Sequence, residues 1–372
     1  MEKKIRINIA SSHRFHLLDL SRELSKQGYD VMFYSYVSSR RCEKFGLERS
    51  KCSSFLWLVA PFFLLSRILG RKDFIEKYRN LVMDYYMSWF MRPCDIYIAL
   101  GTVYKKSFLS AKKRFGAKTI LEWGSMHTDD QLKILDECGV KRRDPYFNKR
   151  AKEGYEIADY IAIPADHTRN SFLAHGIPEK KLLQNPYGVD VSMFQPIKQE
   201  KKYDVIMVGG WSRRKGADLI IDVIKETGLR FLHVGAIGDM PFPSEANFTH
   251  EDPVDQSQLP LYYNLAKVFL LPSREEGLAM VQVQAVACNL PIVGSVNSGA
   301  VDLKRMVKEP KYINIIKDWT KDSVAESLNN AIRSYYMLGN DLYAGDIAKK
   351  MSWDQYGVRY YQNIQQIVGK YE

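Results

Sequence analysis

Cysteines at metal-ligating or redox spacing are missing from this sequence. Its five, Cys42, Cys52, Cys94, Cys138 and Cys288, are odd in number, scattered, and form no C-x-x-C pair. That argues against a disulfide framework and a zinc site, and for a reducing compartment. No uncharged apolar run reaches the roughly 20 residues that a bilayer-spanning helix needs. The opening Met-Glu-Lys-Lys runs straight into a strand-like segment without the apolar stretch of a signal peptide, so the cytoplasm is the expected location. Internal repeats and low-complexity tracts are also missing. No D-x-D pair stands after a strand, so a metal clamp is not indicated. The first loop, SSHRFH (11–16), is not G-x-G-x-x-G, which weakens a nicotinamide reading. Neither a metal nor an organic cofactor is expected.

What is present fits a globular protein of more than one core. A chain of 372 residues exceeds the usual size of one hydrophobic core, so two domains are expected. The net charge of +11 is uneven: residues 1–190 carry 33 Lys and Arg against 22 Asp and Glu, and the remaining residues carry 21 against 21. Such asymmetry points to an oppositely charged partner, nucleic acid or an anionic membrane, with a solubilising surface as the plain alternative. The basic runs lack interleaved aromatic platforms, which disfavours nucleic acid. FLWLVAPFFLL (55–65) is uncharged and contains Pro61; Arg49 and Lys51 precede it, and Arg67, Arg71 and Lys72 follow. Apolar residues flanked by cations suit a segment lying in a membrane interface, peripheral on the inner face of the cell membrane. A buried helix is the rival reading.

Short apolar, β-branched runs alternate with helical patterns along the whole chain. Strands are expected at 5–10, from Val31, and at 95–100, 118–122 and 159–163. After NPYGVD (185–190) and a polar stretch the pattern restarts with YDVIMVGG (203–210), LRFLHVG (229–235), KVFLLP (267–272) and PIVGS (291–295). This alternation predicts parallel sheets covered by helices. The expected domains are 1–190 and 191–352, two doubly wound Rossmann-like units facing across a cleft. Ligands of such sheets sit at the carboxyl ends of the strands. A final helix, 353–371, starts with a capping box at Ser352 and Gln355 and carries Trp353, Tyr356, Tyr360, Tyr361, Ile364 and Ile367 on a packing face. It is expected to return to the first domain.

Four segments carry chemistry. SREEGLAMVQVQAVACNLPIVGS (273–295) reads as loop, helix and proline-led strand. The amides of Gly277, Leu278 and Ala279 stand at a helix N-terminus, where anions are stabilised. Glu276 precedes them, and Gln284 lies two turns along on the same face. VGGWSRRKGADLII (208–221) holds Gly209, Gly210, Arg214 and Lys215 after a strand. NPYGVDVSMFQP (185–196) has the Gly and Pro of a hinge. ILEWGSMH (120–127) places Gly124 and His127 just beyond a strand. Together these segments resemble family 4 (group 1) of the retaining glycosyltransferases, with its P-S-x-x-E-G loop, E-x(7)-E helix, K-G pair and N-x-G-V-D linker. The chain departs from the pattern twice: the second Glu is Gln284, and the Arg often found after V-G is Gly210. Arg214 looks like its replacement.

The resemblance implies the GT-B fold and metal-independent transfer of a hexose, with retention, from a nucleotide-sugar donor to a glycan or lipid-linked acceptor in cell-surface polysaccharide assembly. Arg214, Lys215 and the 277–279 amides, with the Gly209–Gly210 turn, would hold the donor diphosphate, since charge develops there as the glycosidic bond breaks. Arg suits bidentate phosphate contact and Lys a point charge. Gln284 would hold the ribose, more weakly than a carboxylate. Glu276 and His127 would orient the sugar as the catalytic pair, although a lone His is also a common packing residue. Arg14 and His16 in the first loop are candidates to meet the acceptor. A sugar-nucleotide epimerase on the same scaffold and a catalytically impaired binding module remain as alternatives.

Overall fold

A computed structural model of the chain describes residues 4–69, 73–101, 104–140, 144–338, 343 and 345–369. Residues 370–371 of the expected last helix, and the cations Arg71 and Lys72, lie outside the described residues. The strands of the first half are β1 (Arg6–Ser11), β2 (Asp30–Ser35), β3 (Cys52–Ser54), β4 (Ile96–Leu100), β5 (Lys118–Glu122), β6 (Tyr160–Ile163) and β7 (Leu182–Gln184). They form one sheet in the order β3-β2-β1-β4-β5-β6-β7. The second half contributes β8 (Tyr203–Val208), β9 (Phe231–Val234), β10 (Phe248–Glu251), β11 (Ala266–Leu271), β12 (Ile292–Gly294) and β13 (Ile313–Ile315), in the order β10-β9-β8-β11-β12-β13. Every described pairing is parallel. In both sheets the connection reverses direction beside the first strand, so the crevices lie between the carboxyl ends of β1 and β4 and of β8 and β11.

The strands form because their runs are apolar on both faces. Ile7, Ile9, Ile98, Ile120, Val205, Ile206, Val268 and Phe269 are fully buried, as helix-covered parallel sheets require. The carboxyl ends of the two sheets meet. Ser125, beyond β5, donates to Glu275, beyond β11. The His167 ring, beyond β6, bonds the Glu276 carbonyl at 2.8 Å. A Cβ on Gly277 would lie 2.0 Å from the Gly124 carbonyl oxygen, so only glycine allows this approach.

The last helix, Trp353–Val368, does return to the first half. It packs along the helix Phe15–Lys26 so closely that a Cβ on Gly357 would stand 2.4 Å from Glu23 Cβ. Tyr360 donates to Glu122 at 2.7 Å, Gln365 to Tyr29 at 2.9 Å and Lys26 to Asp354 at 3.1 Å. The predicted aromatic face is a packing face: Trp353, Tyr356, Tyr360, Ile364 and Ile367 are all buried.

The apolar stretch 55–65 divides between its two readings. It lies mostly in the helix Leu56–Leu69. Phe55 and Val59 are buried, with Phe55 stacked on Tyr86 at 4.5 Å. Trp57 stays 70% and Ile68 80% exposed. The next helix, Asp73–Phe90, buries Ile75, Met83 and Met87 and exposes Phe74, Tyr78, Tyr85 and Trp89 in a stripe at helical spacing. No helix among the described residues is long and apolar enough to cross a membrane.

Candidate active site

The candidate site is built where β8 and β11 end. After Val208 the chain turns through Gly209 and Gly210 into the short turn Arg213–Lys215, of whose three cations Arg214 and Lys215 reach the loop after β11. Arg214 donates to the Glu275 carbonyl at 2.6 Å and lies 2.9 Å from Glu276 Oε1. Lys215 Nζ reaches the same Glu276 oxygen at 2.5 Å. Burial alone would raise the Glu276 carboxyl; Lys215 and Arg214 outweigh it and hold the group below the usual carboxylate range. The structure therefore brings Arg214, Lys215 and Glu276 together as one ionic cluster.

Three other expectations meet a different arrangement. The Ala279 amide is not available to a ligand, because it donates to the Ser298 carbonyl at 3.1 Å. The Gly277 and Leu278 amides make no such bond among the described residues. His127 caps the helix Thr128–Glu137, its Nδ1 accepting from Asp129 N–H at 3.3 Å. Its ring packs on His175 at 4.0 Å, Tyr155 at 5.0 Å and Phe172 at 5.4 Å, all within the first half. Burial, then His175, pushes its pKa down to about 4, so the imidazole is neutral near pH 7. His16 is buried, with Nε2 2.9 Å from Glu122 Oε2 and the ring 4.4 Å from that of Tyr187. Through Glu122, which also accepts from Tyr360 at 2.7 Å, it is linked to the last helix.

Arg14 does stand between the halves. Its guanidinium lies 3.6 Å from the centre of the Phe45 ring and reaches Gln256 at 3.4 Å. Gln284, on the helix Met280–Ala287, accepts from the Tyr263 hydroxyl at 3.0 Å through Oε1, which leaves the amide nitrogen as the donor it can offer. A cavity of about 360 Å³ opens beside the cation turn, between Asp136 to Gly139 on one side and Arg213, Asp239 and Met240 on the other. Among the described residues one cluster, His127, Asp129 and His175, could supply ligands to a metal. Lys152 Nζ already stands 2.5 Å from Asp129, and Asp130 holds His175 at 2.9 Å.

Two residues were not singled out from sequence. Glu275 is buried and receives Ser125, Gln131 at 3.3 Å and Arg214 at 3.2 Å, so it joins the two halves through one carboxylate. Ser125 thereby faces the cation cluster from the opposite half. The doubled Glu-Glu before Gly277 was the available signal for the first. Nothing local distinguished the second.

Residues 189–340 match the family Glycosyl transferases group 1, which bears out the resemblance over that stretch. A GDP-mannose-dependent alpha-(1-6)-phosphatidylinositol monomannoside mannosyltransferase of Mycolicibacterium smegmatis is 26% identical over 176 residues, 38% of this chain and 46% of that protein. In each of the curated relatives the match spans less than half of the relative's own length. Among solved structures, sucrose-phosphate synthase from Thermosynechococcus elongatus superposes with a TM-score of 0.66 at 13% identity, covering 99% of this chain and 100% of that one. Anabaena HepE in complex with UDP and glucose gives 0.63 at 10% identity, covering 98% and 100%. The fold is GT-B, as expected.

Proposed function

We propose, taking residues 189–340 as a group 1 glycosyltransferase domain, that the chain transfers a hexose from a nucleotide-sugar donor, with retention of configuration and without a metal. The observation that carries this reading is the convergence of Arg214 and Lys215 on Glu276 where β8 and β11 end. Before donor binds, each cation is neutralised by a carboxylate. A diphosphate entering between them competes for both, since it offers more anionic oxygens in the same space. Glu276 is then released to accept hydrogen bonds from sugar hydroxyls. The cations stay on the phosphate as charge develops on it during bond cleavage, the moment at which such contacts accelerate the reaction. In this reading Ser125 and Gly124 close the sugar pocket from the first half, and the leaving phosphate helps deprotonate the acceptor. His127 serves by capping and packing. Arg14 remains the acceptor-side candidate.

The acceptor we favour is a glycan or lipid-linked glycan in cell-surface polysaccharide assembly, met at an anionic membrane surface. The support is the exposed stripe Phe74, Tyr78, Tyr85 and Trp89 beside Trp57 and Ile68, together with the exposed Leu109, Lys106, Lys113 and Arg114 on the neighbouring helix Lys105–Phe115. Apolar side chains among cations suit insertion into an anionic interface.

The experiment is a melting-temperature screen against nucleotide sugars, followed by turnover with and without acceptor. A ligand that binds only the folded state raises the melting temperature. We expect one donor to do so, and release of its nucleoside diphosphate to require an acceptor. Alteration of the donor sugar without acceptor would make the chain an epimerase. A donor that binds but never turns over would make it a binding module. No shift with any nucleotide sugar would overturn the donor site itself.

A further inference from the structure

The Gly209–Gly210 peptide lies at the end of β8, beside Lys215. Two successive glycines make this unit free to rotate, because neither carries a Cβ to restrict it. Gly209 has φ +127°, a value that side chains rarely adopt. Its carbonyl points back into the sheet, toward β9. There His233 Nε2 meets it at 2.7 Å. The fit is close: a Cβ on Gly235 would stand 2.1 Å from the Gly209 oxygen.

His233 is fully buried and makes a second contact. Its Nδ1 lies 3.0 Å from Nδ1 of His250 on β10, with the rings stacked at 5.0 Å. A carbonyl only accepts, so His233 Nε2 carries a proton. Burial pushes His233 down to about 4, so its Nδ1 is an acceptor at neutral pH and His250 Nδ1–H is the donor. The hydrogen bonds thus run in one direction, from His250 to His233 to the Gly209 carbonyl. His250 Nε2, on the far side of its ring, faces Asp252 at 3.6 Å.

In a trans peptide the C=O and the following N–H point in opposite directions. No cis peptide occurs among the described residues. Fixing the Gly209 carbonyl inward therefore fixes Gly210 N–H outward, away from the sheet. That N–H donates to no group among the described residues. Lys215 Nζ lies 3.7 Å from the point where a Gly209 Cβ would be. An unengaged amide beside a lysine at the carboxyl end of a strand is a corner suited to an anionic oxygen.

We propose that His233 and His250 are positioning residues that lock the Gly209–Gly210 peptide with its N–H facing the diphosphate of the donor. Without the lock the peptide can turn over, and a carbonyl would then meet the phosphate where a donor should. The chain has Gly210 where family members often carry an arginine, so this amide supplies a contact that the missing side chain cannot.

The inference rests on the donor-site reading above, and the test separates the two. UDP, UMP, GDP and GMP are titrated by calorimetry into wild type, His233→Leu, His233→Gln and His250→Leu. We expect wild type to prefer one diphosphate over its monophosphate. His233→Leu should weaken the diphosphate about ten- to hundredfold, the worth of a hydrogen bond to a charged oxygen, and the monophosphate far less. His233→Gln should recover most of the loss, because its amide nitrogen can replace Nε2. His250→Leu should fall between. If wild type binds none of the four, the donor site is wrong. If wild type binds and His233→Leu keeps the diphosphate preference, or loses both ligands equally with no recovery in His233→Gln, the positioning role is overturned.

Discussion

Lys215 Nζ sits 2.5 Å from Glu276 Oε1, an ion pair across the two loops that would bracket a diphosphate. Lys215→Ala and Arg214→Ala should each slow turnover, and the loss of one such contact to developing charge typically costs about 2–4 kcal/mol of transition-state stabilisation. Steady-state kinetics with the identified donor measure it. Wild-type constants in both variants would remove the cations from the reaction.

Gln284 tests the ribose contact. Gln284→Glu restores the family pattern and should preserve or improve donor affinity. Gln284→Ala should raise the donor KM more than it lowers kcat, because a ribose contact is similar in ground and transition states. It also strips Tyr263 of one acceptor, although the hydroxyl keeps Val281 O at 3.1 Å. An unchanged KM in the alanine variant would place Gln284 outside the site.

Asp302 gives the fold a pH dependence. Burial, with Asp166 nearby, raises its pKa from 3.8 to about 6, and the Asp166 N–H at 3.0 Å only partly offsets this. Its Oδ2 has no hydrogen-bond partner among the described residues. A raised folded pKa means that the stabilisation is complete below 3.8 and lost as pH climbs through about 6. Asp302→Asn keeps the acceptor and removes the charge. The variant should match wild type near pH 4 and melt higher above pH 6, by at most about 3 kcal/mol in stability. Parallel melting curves against pH would refute this origin.

The exposed stripe can be tested without disturbing the core. Trp57 is 70% and Trp89 73% exposed, so Trp57→Ser with Trp89→Ser should leave the melting temperature nearly unchanged. Vesicle binding should require acidic lipid, weaken with salt, and lose its salt-resistant part in the double variant. Equal binding by variant and wild type would end the membrane reading.

Much of this was legible in the sequence because parallel strands write themselves as unbroken β-branched runs. Lys118–Glu122 falls where it was expected, the helix Met280–Ala287 falls inside the 273–295 segment read as loop, helix and strand, and Tyr203–Val208 ends just short of its glycines. Short edge strands such as Cys52–Ser54 and Phe248–Glu251 were not legible, since three or four residues carry no periodicity. Within the site, the cation pair followed from its motif. The orientation of His127 did not, because tertiary partners from other helices, Tyr155, Phe172 and His175, decide which way the ring turns. Glu275 escaped for a similar reason: its role depends on Ser125, which stands 150 positions away.

The return of the last helix to the first half means that the backbone passes between the halves twice, and the two passages touch. Val189 N–H donates to the Met351 carbonyl at 2.7 Å, and Val189 bridges Ser352. A single tether would let one half swivel freely about a point. Two tethers bonded side by side act as the spine of a book, permitting opening and shutting about one line and resisting twist. The faces that Glu276 and Ser125 present to each other can then separate to admit a ligand and return to the same register.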